Sequence, residues 1–112
     1  MVSTISFSNN DIPDAKKIIN SSKVEVSVLE LEESFFEQAS YNEDESMLEF
    51  ITKDQISFIQ IFNDHESLEF QLMVMSNKVM ISKSLFNIGQ SKLAFIIDGH
   101  DHIQFTDVLV NE

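Results

Sequence analysis

The 112-residue sequence has no cysteine, no tryptophan and no arginine, and it contains one proline and two glycines. Without cysteine, disulfide scaffolds, thiolate zinc sites, iron–sulfur clusters and cysteine nucleophiles are excluded. Without arginine, the chain lacks the bidentate group that most often recognises phosphate and carboxylate. Glycine-rich phosphate loops, nucleophile elbows and His-Glu-x-x-His motifs are also missing. The sequence therefore supports no reaction class, and we predict a non-enzyme that needs no cofactor.

Long hydrophobic runs are missing too. Apolar runs such as residues 72–75 are far shorter than the roughly 18 residues that a membrane-spanning helix requires. Residues 1–8 show neither a basic segment nor an apolar core of the kind found in secretory signals. With no cysteine to suggest an oxidising compartment, we expect a soluble cytoplasmic protein.

Size and composition predict one globular domain over residues 1–112. Domains of about 100 to 150 residues are the commonest, and 43% of this chain is hydrophobic. That fraction is enough for a core without disulfide or metal support.

A helix is predicted near the start, over residues 11–20. Asp11 is a favourable N-cap and Pro13 falls in the first turn, where its missing N–H costs nothing. Ile12, Ala15 and the pair Ile18–Ile19 then recur at helical spacing on one face.

Most of the remaining chain reads as strand. Val24, Val26 and Val28 alternate with polar residues, and an antiparallel meander follows from residue 46. Its candidate strands are residues 47–52, 56–62, 68–75, 79–82, 93–97 and 103–110. The separators, such as Lys53-Asp54, are too short for parallel crossovers and suit hairpins. Residues 82–89 favour a helical turn ending at glycine.

We therefore predict an α+β fold. Its main part is a curved antiparallel meander of about six to eight strands that can approach a barrel, with an N-terminal helix and short helical segments. Residues 33–40 are a second candidate helix. Several central strands are apolar on both faces, as in residues 68–75, so the sheet is expected to be strongly curved or covered on both sides. The cover is either another part of the chain or a second subunit.

Charge is the most informative feature. The chain has 19 acidic residues against 7 lysines, a net charge of −12. This charge repels anionic lipid and nucleic acid, so neither a membrane nor direct DNA or RNA binding is expected. Residues 24–52, which we call the acidic window, contain no lysine and hold nine of the 19 acidic residues. Such a concentration attracts a basic surface and accelerates association.

Aromatic residues lie inside the acidic window. Aromatic anchors within a charged rim are typical of protein interfaces, although core packing of the rings and simple solvation of the acids are the alternatives. The predicted partner-binding residues are Glu30, Glu32, Glu33, Phe36, Glu37, Tyr41, Glu43, Asp44, Glu45 and Glu49.

Residues 98–102, Asp-Gly-His-Asp-His, are the one cluster that suggests a metal site. Two imidazoles and two carboxylates offer suitable ligands. Asp98-Gly99, however, is a turn signal, and His-x-His projects both rings to one side only within a strand. A hairpin loop is the favoured interpretation, and no metal site is predicted.

In size and charge the chain resembles small acidic bacterial immunity proteins, including those of contact-dependent growth inhibition systems. The resemblance rests on no motif. It implies an inhibitor that neutralises a basic toxin, such as a nuclease, through carboxylates that stand in for substrate phosphates. The alternatives are a DNA-mimic inhibitor and a structural or chaperone-like homodimer.

Overall fold

The computed structural model describes residues 15–29, 34–98 and 103–111. These residues form a seven-stranded antiparallel sheet. The strands are β1 (Ala15–Asn20), β2 (Val24–Leu29), β3 (Phe36–Asn42), β4 (Met47–Phe62), β5 (Leu68–Ser82), β6 (Gly89–Ile97) and β7 (Ile103–Val110), with a 3-10 turn at Lys83–Leu85. The antiparallel sheet expected from the alternating pattern is confirmed.

The strand order makes the sheet nearly close on itself. It runs β1-β2-β7-β6-β4-β3, and β5 pairs with the opposite edge of β4. β1 and β3, at the two ends of this order, pack beside each other. The result is barrel-like, with the core enclosed by the curved sheet.

The predicted α+β class with an N-terminal helix is wrong. Residues 15–20 are strand β1, and β1 pairs with β2 from Ala15 opposite Leu29 to Asn20 opposite Glu25. An isolated helix this short is marginal, whereas β-branched Ile18 and Ile19 suit a strand and the edge of β2 offers a hydrogen-bonding partner. Residues 11–14 of the predicted helix lie outside the described residues.

The second candidate helix, over residues 33–40, is also wrong, because Phe36–Asn42 is strand β3. Four predicted strands merge into two. Residues 47–52 and 56–62 are both part of β4, and residues 68–75 and 79–82 are both part of β5. The short polar segments between them, such as Lys53-Asp54, lie at irregularities of the ladder. The link between the predicted strands 56–62 and 68–75 is a true hairpin turn.

A pronounced irregularity bends the β4–β5 hairpin. Ile51 pairs with Lys78 and Ile56 pairs with Ser76, so the β4 residues between them stand opposite Asn77 alone. Before this point β4 pairs with β3, and beyond it β4 pairs with β6. One hairpin therefore supplies strands to both parts of the curved sheet, as bulges commonly allow.

Thr52 holds the bend together. Its side chain is fully buried, and its hydroxyl lies 2.7 Å from the carbonyl oxygen of Asp54 and 3.2 Å from that of Asn77. The amide Nδ2 of Asn77 in turn donates to the carbonyl oxygen of Thr52 at 3.3 Å. Side chains thus satisfy backbone groups that the interrupted ladder leaves without strand partners.

The core fills the inside of the curved sheet. It joins Phe50 and Leu48 of β4 with Phe95 and Leu93 of β6, all fully buried. Val24, Val26 and Val28 of β2 are buried as well, as their alternation predicts. In the described part of the chain no helix is long and apolar enough to cross a membrane.

We expect Thr52→Val to lower the free energy of unfolding by about 1 to 3 kcal/mol, because it leaves buried carbonyl groups without their donor. Urea denaturation measures the change. Thr52→Ser is the matched control, since it keeps the hydroxyl and should retain most of the stability. A Thr52→Val protein as stable as the parent would contradict the assigned role.

Candidate protein-binding surface

The turn between β3 and β4 is the most acidic described surface. Glu43, Asp44 and Glu45 occupy it, and all three are exposed. The side-chain oxygen of Asn42 accepts a hydrogen bond from the backbone N–H of Glu45 at 3.2 Å. The carbonyl oxygen of Ser46 accepts one from the backbone N–H of Lys83 at 2.9 Å. The turn therefore presents its carboxylates from an anchored backbone, and we call these three residues the acidic turn.

No described cationic side chain neutralises the charges of the acidic turn. Lys83 meets the turn through its backbone, but among the described residues no ammonium group forms an ion pair with Glu43, Asp44 or Glu45. Three like charges held close together repel one another and project a negative field into solvent.

Other acids of the window are placed differently. Glu25 forms an ion pair with Lys17 at 2.9 Å, and Glu49 forms one with Lys78 at 3.4 Å. Glu37 is exposed on β3, about 20 Å along the strand from the acidic turn. Glu30, Glu32 and Glu33 lie outside the described residues. The fold thus gathers Glu43, Asp44 and Glu45 and leaves Glu37 and Glu49 apart from them.

The aromatic residues of the window face the core. The Phe36 ring centroid lies 5.2 Å from that of Phe95 and 5.8 Å from that of Phe50. Tyr41 is half-buried and pairs with buried Leu48 across the β3–β4 ladder. Packing therefore accounts for Phe36 and largely for Tyr41. Tyr41 lies two residues before the acidic turn, with its ring packed against the core.

The sequence interpretation missed an exposed apolar surface. Met73, Phe58, Ile96 and Ile103 are successive partners across four neighbouring strands, so their side chains form one row on the outer face. Met73 is 72% exposed and Ile103 is 41% exposed. The sequence did indicate that several strands are apolar on both faces. It did not show which of the two faces stays exposed to solvent.

Several depressions lie on the surface of the described residues. One of about 290 Å³ is lined by Leu29, Ile103, Phe105 and other residues of β2 and β7. Its charged groups are Lys92 and Asp107, which lie 4.0 Å apart and form a surface ion pair.

Only Asp98 of the metal candidate at residues 98–102 is described. Its carboxylate accepts hydrogen bonds from Ser57 Oγ at 3.2 Å and Gln55 Nε2 at 3.4 Å. Within residues 15–29, 34–98 and 103–111, no group of three or more potential ligands comes together.

No protein-family model, curated protein or solved structure matches this chain.

We expect Phe36→Ala to lower the free energy of unfolding by about 2 kcal/mol or more, because the ring packs edge-on against buried aromatic rings. Thermal and urea denaturation measure the loss. Phe105→Ala, which removes a 46% exposed ring, is the control and should cost much less. Equal stability of the two variants would place Phe36 on the surface.

We expect Glu43→Gln combined with Glu45→Gln to raise the urea midpoint at low salt, because it removes repulsion between neighbouring like charges. The gain should disappear at about 1 M salt, where charges are screened within about 3 Å. A loss of stability at low salt would show that the carboxylates hold the turn together.

Proposed function

We propose that this protein is a non-catalytic binding module for another protein. The observation that carries the proposal is the acidic turn, whose exposed carboxylates have no described cationic partner and sit on an anchored hairpin. Repulsion among these groups opposes folding, so a cationic partner would relieve a cost that the free protein bears.

Within that class, we propose an immunity-type inhibitor that neutralises a basic toxin in the cytoplasm. The net charge of −12 supports a basic partner, and the absence of arginine leaves little for an acidic one to bind. A nuclease fits this description, because its active site attracts phosphate and could accept carboxylates in the same place. The charge on the turn would mainly accelerate association, with affinity supplied by contacts elsewhere on the surface.

The experiment begins with capture of partners from the source organism on the immobilised protein at low salt, followed by mass spectrometry. The captured partner is then purified, and its association rate with the soluble protein is measured by stopped flow at several salt concentrations. The proposal predicts a basic partner whose association slows steeply as salt rises.

We expect Glu43→Lys combined with Glu45→Lys to slow association with that partner at least about tenfold at low salt. Asp54→Lys combined with Asp64→Lys is the matched control, since it makes the same change in net charge at exposed sites outside the acidic turn. The control should slow association much less.

Equal slowing by the two double variants would show that only net charge matters and would remove the acidic turn from the proposal. A captured partner that is not basic, or association that is independent of salt, would overturn the proposal itself. If the partner is a nuclease, loss of its activity on binding tests the inhibitory role directly.

A further inference from the structure

A depression with two aromatic walls lies beside the β4–β5 hairpin turn. It measures about 280 Å³ and is lined by Phe62, Glu66, Lys92 and Phe105. Phe62 is partly buried, and Phe105 is 46% exposed. Two phenylalanine rings that face one solvent-filled space, with charged groups beside them, give it the apolar walls and polar contacts of a binding site.

The strand register explains why this space exists. Phe62 of β4 stands opposite Lys92 of β6, and Phe105 of β7 stands opposite Ala94 of β6. Opposite residues in antiparallel strands point to the same face, so these four side chains share the outer face of the sheet. Ala94 carries only a methyl group, and the space beside the Phe105 ring is therefore not filled by a long side chain from β6.

Glu66 reaches the depression from an anchored turn. The side-chain oxygen of Asn63 accepts hydrogen bonds from the backbone N–H groups of His65 at 2.9 Å and Ser67 at 3.0 Å. The carbonyl oxygen of Asn63 accepts one from the backbone N–H of Glu66 at 3.0 Å. The Glu66 carboxylate is therefore carried by a backbone that is held in place, and among the described residues it forms no ion pair.

The charges around the depression favour a cationic ligand. An adjoining depression shares Glu66 and Lys92 with it and adds Asp64 and Asp107, so three described carboxylates face one ammonium group. Lys92 Nζ lies 4.0 Å from Asp107 Oδ1, and this acid already balances the ammonium charge. The remaining carboxylates lie near aromatic rings, whose faces attract cations. An anionic ligand would be repelled here.

We propose that the depression binds an arginine side chain of the basic partner. The guanidinium group pairs with the Glu66 carboxylate and stacks on the Phe105 ring, and the methylene groups contact Phe62. This chain contains no arginine, so a second copy of it cannot supply the ligand. The inference rests on the proposed function for the source of the arginine. It adds an anchor that supplies affinity, where the acidic turn supplies association rate.

The first test uses a small probe and needs no partner. Butylguanidinium is titrated into the protein, and its binding is followed by NMR through the resonances of Phe105 and Glu66. Butylurea has nearly the same shape without the charge and is the matched control probe. We expect butylguanidinium to bind about threefold more tightly than butylurea, or better. Equal binding of the two probes, or binding of neither, would overturn the proposed site.

Variants then separate charge from ring stacking with the same probe. Glu66→Gln removes the carboxylate, and Phe105→Leu removes the ring but keeps an apolar side chain. Each should weaken butylguanidinium binding about threefold or more. Lys92→Met removes a like charge and should strengthen binding about twofold or more. Asp54→Asn, at an exposed site outside the depression, is the control and should change nothing. Weaker binding to the Lys92→Met protein would contradict a cation site.

The last experiment measures how fast the captured partner dissociates. Glu66→Gln and Phe105→Leu should each speed dissociation about tenfold or more and leave the association rate nearly unchanged, the reverse of the effect expected at the acidic turn. Unchanged dissociation from both variants would overturn this site and leave the proposed function standing. Selective binding of butylguanidinium without capture of any basic partner would support the cation site and overturn the proposed function.

Discussion

The bend at Thr52 and Asn77 is the constraint on which the rest of the fold depends. Because of it, β4 pairs with β3 before the bulge and with β6 beyond it. Phe50 and Phe95 come from different parts of the sheet and meet, with ring centroids 5.2 Å apart. A straight hairpin would leave two half-sheets, each with one uncovered apolar face. The bend lets both halves share a single core, and the Thr52 hydroxyl helps to stabilise that bend.

The same hairpin organises the surface. β5 pairs with β4 along the whole length of β4, and no described strand pairs with the second edge of β5. That second edge carries exposed apolar side chains. The acidic turn lies at the end of the neighbouring β3–β4 hairpin, where bulky packing is absent and repulsion among carboxylates is tolerated. Exposed apolar side chains and the acidic turn therefore lie on different parts of the described surface.

Local patterns predicted the strands where burial and alternation agree. Val24, Val26 and Val28 alternate in the sequence and are buried on one face of β2. Leu93 and Phe95 lie in the predicted strand 93–97 and are buried. The helix prediction failed at Ile18 and Ile19. The capping signals before them favour a helix, but they do not reveal that the edge of β2 is available to pair with this segment. The pattern also could not show how the Phe36 ring packs, since contacts across the barrel depend on residues distant in the chain.

By itself, the sequence determined that this is a cysteine-free, arginine-free acidic domain of antiparallel strands, with its charge concentrated in one window. These properties follow from residue types and short-range periodicity. Only the tertiary structure decided that Glu25 and Glu49 are paired with lysines. It also decided that, among the described residues, Glu43, Asp44 and Glu45 stand together without an ion pair and β5 has a second edge with no strand partner. These outcomes depend on strand order and register, which are set by contacts between distant segments rather than by any local pattern.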